Sequence, residues 1–373
     1  MSEERGLEEL RTRVRDARAE ATTGDLPALA ALQQGLFDLG YALDSRSETD
    51  EARAVWEELE PLARRLAGLD PDRYGCDLPY ALTGLGLAQE AGRAGDGLSA
   101  LREGIALGRR FVDDDPARKV QAARLYMFQL ALQSAGRRHE ALCAAEESVE
   151  LLRQMAVPPA GDLAQSLTAL SYLQEFVGRK ETARETQEAA LAVASRLAQD
   201  DPDDGLPRLA DALLALVSRH RALEQHVLAA DTAAECVTVC RELVRRGAAA
   251  ADFRLALALH AQTWALHQLE RPAEALIVAR EWVEVARSRM AQRDAETPEA
   301  VADLAEALSM VALQCNALSL SLSTWRRCNR PRRRSTSSDG GERSCPRSSV
   351  PNLPSSRSAT PTRWSCTIAP GRP

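Results

Sequence analysis

Apolar residues recur at helical spacing along almost the whole chain between Pro27 and about Ser323. Short loops that carry Gly, Pro or Asp separate these apolar stripes, and a proline after an acidic residue marks three helix ends. Apolar positions three and four residues apart are typical of helices that bury one face. The pattern therefore predicts an all-α chain of consecutive helices.

The chain repeats with a period of 42–46 residues. A Gly-Arg loop followed by a helix that opens on a small residue occurs three times, and counting onward and backward extends the same frame. Six loop positions carry the frame, namely Ser47, Gly92, Gly136, Gly178, Glu224 and Glu270. Six repeats of this length predict an architecture that grows by stacking.

Two columns of residues follow from the frame. Five residues after each loop position lies a small residue, at Ala52, Gly97, Ala141, Ala183, Ala229 and Ala275. Eight residues further on, five repeats have an aliphatic residue, at Ile105, Val149, Leu191, Val237 and Val283. The small column lets two helices approach closely, and the aliphatic column predicts a buried stripe. A single helix pair cannot bury such a stripe alone, so stacked pairs are expected to form an α-solenoid.

Each repeat is predicted to be a pair of helices. The first helices are expected over 27–43, 78–91, 118–135, 162–177, 207–222 and 252–268, with a last helix of this type over 298–322. The second helices are expected over 50–67, 95–112, 139–155, 180–199, 226–246 and 272–291. An amphipathic helix over 2–22 is expected to cover the first repeat. The predicted regions are a capping segment 1–26, a solenoid 27–323 and a tail 324–373.

The array resembles the tetratricopeptide repeat family. The resemblance rests on the loop glycines, the small column, the Glu-Ala-Leu runs at 140–142 and 274–276, and the prolines after helices. The period exceeds the roughly 34 residues of the usual repeat, so the array is more similar to the long-helix variety of kinesin light chain and of actinobacterial regulatory proteins. The resemblance implies a right-handed superhelix of antiparallel helix pairs whose first helices line a concave groove. Glutamate replaces the loop glycine at Glu224 and Glu270, where the resemblance is weaker.

Composition narrows the class of protein. The 373 residues have a formal charge of −7, and only 4% of them are aromatic, which favours helix over sheet. Lys119 and Lys180 are the only lysines, so the abundance of arginine indicates GC-rich coding rather than affinity for nucleic acid. The first 20 residues lack the apolar run of a signal peptide, and no run of about 18 apolar residues occurs. We expect a cytoplasmic protein with reduced cysteines and no membrane span.

The helical pattern stops near Thr324. Residues 324–373 contain 11 Arg, 10 Ser and 7 Pro against two acidic residues, so their charge is +9 and that of residues 1–323 is −16. One interpretation is a basic, disordered arm. The other is out-of-frame translation of GC-rich DNA in place of further repeats. An unfinished last repeat would expose an apolar face, which predicts a homo-oligomer formed through this end.

No catalytic or metal-binding motif is evident. The sequence has no phosphate-binding glycine-rich loop, no dinucleotide fingerprint and no His-Glu-x-x-His helix. We therefore expect no enzyme activity, cofactor or metal. Cys236, Cys240 and His226 could be arranged as a zinc site, but Cys236 occupies a small inward position, which favours packing. Trp56 and Trp282, both in second helices, are also expected to be packing residues.

The resemblance implies that inward positions of the first helices bind a ligand. Transferring these positions by frame gives Gln89, Glu90, Tyr126, Gln133, Tyr172, Glu175, Arg221, His260, Trp264 and His267 as peptide-groove candidates. Tyrosine and tryptophan offer rigid contact area with a polar group, while arginine and glutamine can hold a peptide backbone or carboxylate. The alternative, in which Tyr126, Tyr172 and Trp264 are core residues between neighbouring helices, stays open.

The leading hypothesis is a noncatalytic scaffold whose acidic concave groove binds a peptide or helix of a partner protein. A second hypothesis is the sensor or regulatory module of a split signalling ATPase or transcription regulator. Binding to nucleic acid is disfavoured, because the −16 charge of residues 1–323 opposes phosphate contacts.

Overall fold

The structure is a computed structural model that describes residues 2–92, 97–292 and 298–328. In these ranges all regular secondary structure is helical, and each helix packs mainly on its neighbours in the chain. Met1–Thr324 form one compact unit, a helical solenoid of the tetratricopeptide type. The predicted all-α solenoid is therefore confirmed.

The helices follow the predicted order. In the described ranges they are α1 (Ser2–Ala21), α2 (Leu26–Ser45), α3 (Thr49–Leu69), α4 (Pro71–Tyr74), α5 (Asp77–Ala91), α6 (Gly97–Gly108), α7 (Asp115–Ser134), α8 (Arg138–Arg153), α9 (Ala160–Phe176), α10 (Lys180–Asp200), α11 (Pro202–Ala222), α12 (His226–Arg245), α13 (Ala251–Gln268), α14 (Pro272–Gln292) and α15 (Pro298–Cys328). The first helices of the pairs are α2, α5, α7, α9, α11, α13 and α15.

Most predicted helix limits agree with the structure to within about one turn. The pattern missed the single turn α4 and the 3-10 helix Arg109–Phe111 that follows α6. Helix α15 continues past its predicted end at residue 322 to Cys328. The expected tail otherwise lies outside the described residues, so the division into cap, solenoid and tail stays a prediction.

The frame position lies one or two residues after the last residue of the first helix of each pair. Five of the six positions have a positive φ, with Ser47 at 60°, Gly136 at 74°, Gly178 at 87°, Glu224 at 58° and Glu270 at 54°. After Gly136 the N–H of Arg137 donates to the carbonyl oxygen of Leu132 at 2.8 Å, which closes the helix end. The glutamates adopt the same left-handed conformation, which costs about 1 kcal/mol relative to glycine.

Both predicted columns lie in the core. Every member of the small column is buried, and a Cβ atom on Gly97 would lie 2.4 Å from the carbonyl oxygen of Gly86. Four members of the aliphatic column are buried, and Leu191 is half-buried. The close approach inferred from the small residues is therefore present in the packing of α5 against α6.

Trp56 and Trp282 are packing residues, as predicted. Their exposed fractions are 0% and 1%. The indole N–H of Trp56 donates to Asp44 at 3.0 Å, and that of Trp282 donates to Asp303 at 2.9 Å. A Cβ atom on Gly84 would lie 2.5 Å from the Trp56 ring, so a glycine is needed where α5 crosses it.

Helix α15 packs by one side only. Asp303 accepts the Trp282 hydrogen bond and forms an ion pair with Arg289, and Ala307 is fully buried. The stretch Val301–Leu320 is, in the described part of the chain, the one segment long and apolar enough to cross a membrane, judged by length and composition only. The uncovered side exposes Val301, Leu308, Leu313 and Leu320. Self-association through this side stays a prediction that light scattering would test.

Candidate ligand-binding groove

A groove with a cavity volume of about 450 Å³ lies along α7, α9 and α11. All of its lining residues belong to these three helices, each of which is the first helix of its pair. The polar lining consists of Tyr126, Gln133, Gln165, Thr168, Tyr172, Arg208, Asp211 and Arg219. The volume falls in the range of roughly 300–1,000 Å³ that is usual for ligand pockets.

Two tyrosines present amphipathic rings to the groove. The hydroxyl oxygen of Tyr126 accepts a hydrogen bond from Gln165 Nε2 at 3.0 Å, and the residue is half-buried. Tyr172 is 47% exposed, and its ring centroid lies 5.6 Å from that of Phe176. Tyr172 is therefore not a core residue, and its role in binding a ligand stays a prediction.

Arg219 is a buried cation at the base of the groove. It is 6% exposed, forms an ion pair with Glu175, and donates from Nη1 to the carbonyl oxygen of Ser171 at 3.1 Å. Burial lowers the pKa of Arg219, and the charge of Glu175 opposes that change. The guanidinium thus joins α11 to α9 and fixes the helix that carries Tyr172.

The remaining charges of the lining are also paired. Arg208 lies 3.0 Å from Asp204 on its own helix, and Asp211 lies 2.8 Å from Arg254 on α13. The lining therefore contains two arginines and one aspartate. The acidic surplus expected for the concave face is not found in this part of it.

Only some of the predicted candidates meet at this groove. Tyr126, Gln133 and Tyr172 line it, and Glu175 lies beside it as the partner of Arg219. Gln89 and Glu90 occupy the last turn of α5, where both are half-buried, and neither is part of the lining.

Arg221 and Trp264 meet each other between α11 and α13. The guanidinium carbon of Arg221 lies 4.1 Å from the centroid of the Trp264 ring. The ring of His226 packs edge-on against the same indole at 5.6 Å. This contact is a cation–π pair that is not part of the groove lining, and it joins neighbouring repeats.

The two histidines of α13 make contacts with α14 and α15. His260 stacks on Trp282 at 4.9 Å, and its Nε2 atom lies 3.4 Å from the carboxylate of Glu306. His267 Nδ1 lies 3.2 Å from the side-chain nitrogen of Gln314. Both histidines therefore take part in packing the last helix onto the array.

Arg219 is the main groove residue that sequence reasoning missed. The position five residues before each loop reads Ala42, Leu87, Ala131, Leu173, Arg219 and Ala265. A single arginine in a column of apolar residues was the available signal, because a charge there must be buried and needs a partner. The inward positions that the frame transfers lie two, three, six or ten residues before the loop, so they do not include this column.

Cys236 and Cys240 lie in the core, as the packing interpretation predicts. Both are fully buried, their sulfur atoms are 3.9 Å apart, and Cys236 Sγ lies 3.5 Å from the carbonyl oxygen of Ala210. Among the described side chains no group of three or more potential ligands could hold a metal ion. His226 packs on Trp264.

Several solved structures have a similar fold. RapI in its apo form has a TM-score of 0.54 and 11% identity, over 88% of this chain and 92% of that one. Aspartyl phosphate phosphatase F from Bacillus subtilis has a TM-score of 0.52 and 13% identity, over 86% and 82%. A STAND signal-transduction ATPase with a tetratricopeptide repeat sensor from Pyrococcus horikoshii has a TM-score of 0.52 and 14% identity. The match covers 87% of this chain and 48% of that one. Neither a scan of protein-family models nor a search of curated proteins finds a match.

Proposed function

We propose that the protein is a noncatalytic scaffold that binds a peptide or helical segment of a partner protein in the groove of α7, α9 and α11. The observation that carries the proposal is the lining of this groove by three successive first helices, with the rings of Tyr126 and Tyr172 on two of them. An open groove along stacked helices suits an extended or helical chain better than a compact small molecule.

The chemistry of the lining supports a peptide ligand. The tyrosine rings offer rigid apolar area with hydroxyl groups, and the amide of Gln133 can bond a peptide backbone. The charged residues of the lining are engaged in ion pairs, and the lining contains neither histidine nor cysteine. Such a surface recognises shape and hydrogen-bonding groups without offering an activated nucleophile.

A second candidate is a sensor or regulatory module of a larger signalling system. It is favoured by the similarity to the STAND ATPase, whose tetratricopeptide repeats are described as a sensor. In this version the partner is an ATPase or transcription regulator, and the chain acts by changing that partner's state. A nucleotide-hydrolysis assay of the captured partner, with and without this chain, separates the two candidates.

The test is site-specific photocrosslinking in the source cell. Benzoylphenylalanine replaces Tyr172 in one variant and Ile277 in the control, since Ile277 is 70% exposed on the second helix α14. We expect one protein to crosslink at position 172 and not at 277. The double variant Tyr126→Ala/Tyr172→Ala should then bind that protein about 30-fold more weakly, since each buried aromatic contact contributes about 1 kcal/mol. Crosslinking at 277 alone, or unchanged affinity of the double variant, would contradict the proposal.

A further inference from the structure

Arg124, on α7, is a buried cation without an acidic partner among the described side chains. It is 7% exposed, and its Nη1 atom donates to Gln121 Oε1 at 3.3 Å. Its Nε atom is buried and has no hydrogen-bond partner. No described carboxylate lies within ion-pair distance of it. An ionised group buried in this way is unfavourable unless something else pairs with it.

Three surrounding residues hold the guanidinium of Arg124 in place. Gln121 is fully buried, and its Nε2 atom donates to the carbonyl oxygen of Ile105 at 3.0 Å, which aims Oε1 at Arg124. Gly108 makes room for the group, because a Cβ atom there would lie 2.8 Å from Arg124 Nη1. The ring of Tyr80 lies face-on to the guanidinium, with its centroid 4.1 Å from Cζ. The position of Arg124 is therefore fixed before any ligand arrives.

A chain of aromatic rings on α2 and α5 links Tyr80, which contacts this cation, to the protein surface. Tyr80 packs edge-on against Phe37 at 6.4 Å, and Phe37 stacks with Tyr41 at 6.5 Å. Tyr41 is 52% exposed, so the cluster reaches the surface. Burial raises the pKa of Tyr41 and of Tyr80, and the charge of Arg124 opposes both changes, as expected for a cation near the two hydroxyl groups.

The aspartates of α2 and α5 that flank the aromatic rings in the chain have other partners. Asp77 accepts a hydrogen bond from Gln33 Nε2 at 2.6 Å, and Asp44 accepts one from the Trp56 indole at 3.0 Å. Burial raises the pKa of both carboxyl groups. Their partners are thus neutral donors, and Arg124 is left as a fixed positive group beside an aromatic wall.

We propose that Arg124, together with Tyr80 and Tyr41, binds a ligand carboxylate that has an aromatic or apolar group beside it. A guanidinium pairs with a carboxylate through parallel N–H donors, and the rings of Phe37 and Tyr41 take the adjoining apolar group. This site goes beyond the proposed function, since it lies on α2, α5 and α7 and needs none of the lining residues of the peptide groove.

The test uses the full chain and small probes. N-acetylphenylalanine supplies a terminal carboxylate beside a ring, N-acetylphenylalanine amide is its neutral match, and N-acetylaspartate amide supplies a side-chain carboxylate. Binding is read by calorimetry and by the alkylation rate of Cys76, which is exposed and feels the Arg124 charge, with the exposed Cys143 on α8 as internal control.

We expect N-acetylphenylalanine to bind saturably and to slow alkylation at Cys76 but not at Cys143. The amide should bind at least tenfold more weakly, because it lacks the charge that pairs with Arg124. Stronger binding of N-acetylaspartate amide would assign the natural carboxylate to a side chain rather than to a chain end. Equal binding of the acid and its amide, or no binding of either acid, would overturn the proposal.

Substitutions separate binding from folding. Arg124→Met should weaken N-acetylphenylalanine at least tenfold while the melting temperature stays within about 2 °C, because no ion pair is lost. Arg289→Met is the matched control, since Arg289 is a largely buried arginine that is paired with Asp303 and lies over the Phe253 ring. It should lower the melting temperature and leave probe binding unchanged.

If Arg124→Met does not fold, the variants Arg124→Lys and Tyr41→Ala are used to test probe binding instead. The lysine variant keeps the charge and should retain part of the affinity, while Tyr41→Ala should weaken the probe at least threefold. Parent-like binding by Arg124→Met, or by Tyr41→Ala in its absence, would refute the site. The Tyr126→Ala/Tyr172→Ala variant should bind the probe normally, so failure of the peptide groove and failure of this site are distinguishable.

Discussion

Helices α7 and α11 occupy the same place in their repeats, and each buries one arginine, yet the surroundings of the two differ. Arg219 on α11 has the carboxylate of Glu175 and the carbonyl oxygen of Ser171 as partners. Arg124 on α7 has the amide of Gln121 and the face of a tyrosine ring. The exposed fractions, 6% and 7%, are nearly the same.

The difference separates two uses of a buried charge. A cation whose donors are used within the fold stabilises the contact between two repeats, and removing it leaves its partners unsatisfied. A cation with an unused donor adds little to the fold, because no partner offsets the burial of its charge. Burial alone does not distinguish these cases, whereas the partners do.

The largest change in the free energy of unfolding is expected for substitution of Arg219, the arginine that is paired with a carboxylate. Arg219→Met should lower the free energy of unfolding by about 2–3 kcal/mol, because it strands Glu175 and the Ser171 carbonyl. Urea unfolding followed by circular dichroism measures this. A loss below about 0.5 kcal/mol would remove the distinction between the two helices.

Changing Glu175, the partner of Arg219, should lower the free energy of unfolding by less than Arg219→Met does. Glu175→Gln keeps an acceptor and removes a charge from a side chain that is 31% exposed, so solvent screens much of the loss. We expect Glu175→Gln to lower the free energy of unfolding by about 1 kcal/mol. The double variant with Arg219→Met should cost less than the two single changes added together, since they break one interaction. Additive losses would show that the pair is not coupled.

Helices α7 and α11 are followed by different residues at the turn, and this difference predicts a substitution that raises the free energy of unfolding. Helix α7 is followed by Gly136 and α11 by Glu224, both at positive φ. Glu224→Gly should raise the free energy of unfolding by about 0.5–1 kcal/mol, because glycine adopts this conformation without strain. Gly136→Ala should lower it by a similar amount. No change in either variant would contradict the strain assigned to the turn.

The smallest effect is expected at the unpaired arginine. Arg124→Met loses the contact with Tyr80 and one long hydrogen bond, and it gains by removing a buried charge. The free energy of unfolding should stay within about 0.5 kcal/mol of the parent value. A loss as large as that of Arg219→Met would assign Arg124 to the fold and weaken the case for a carboxylate site.

Much of the fold could be predicted because it depends on local pattern. The frame read from Gly136 and Gly178 located the helix ends, since the backbone there needs a left-handed residue. Tyr126 and Tyr172 were found as groove residues because both follow from the frame and from the expected role of first helices.

The partners of the buried arginines could not be predicted in the same way. Arg219 and Glu175 lie 44 positions apart on different helices, so their pairing depends on how neighbouring repeats stack. The chain has 54 acidic residues, and no local pattern shows that Arg124 lacks one of them as a partner. Which donors remain unused is a property of the packed array.

The indole contacts at the two ends of the array have a spectroscopic consequence. Trp56 and Trp282 are both buried, and the indole N–H of each donates a hydrogen bond to an aspartate. Their fluorescence emission should therefore be blue-shifted relative to that of a hydrated tryptophan. Variants that keep one of these two and carry phenylalanine at the other tryptophans would give each terminus its own fluorophore. Because stacked repeats unfold by nearest-neighbour steps, the two signals would show from which terminus denaturation starts.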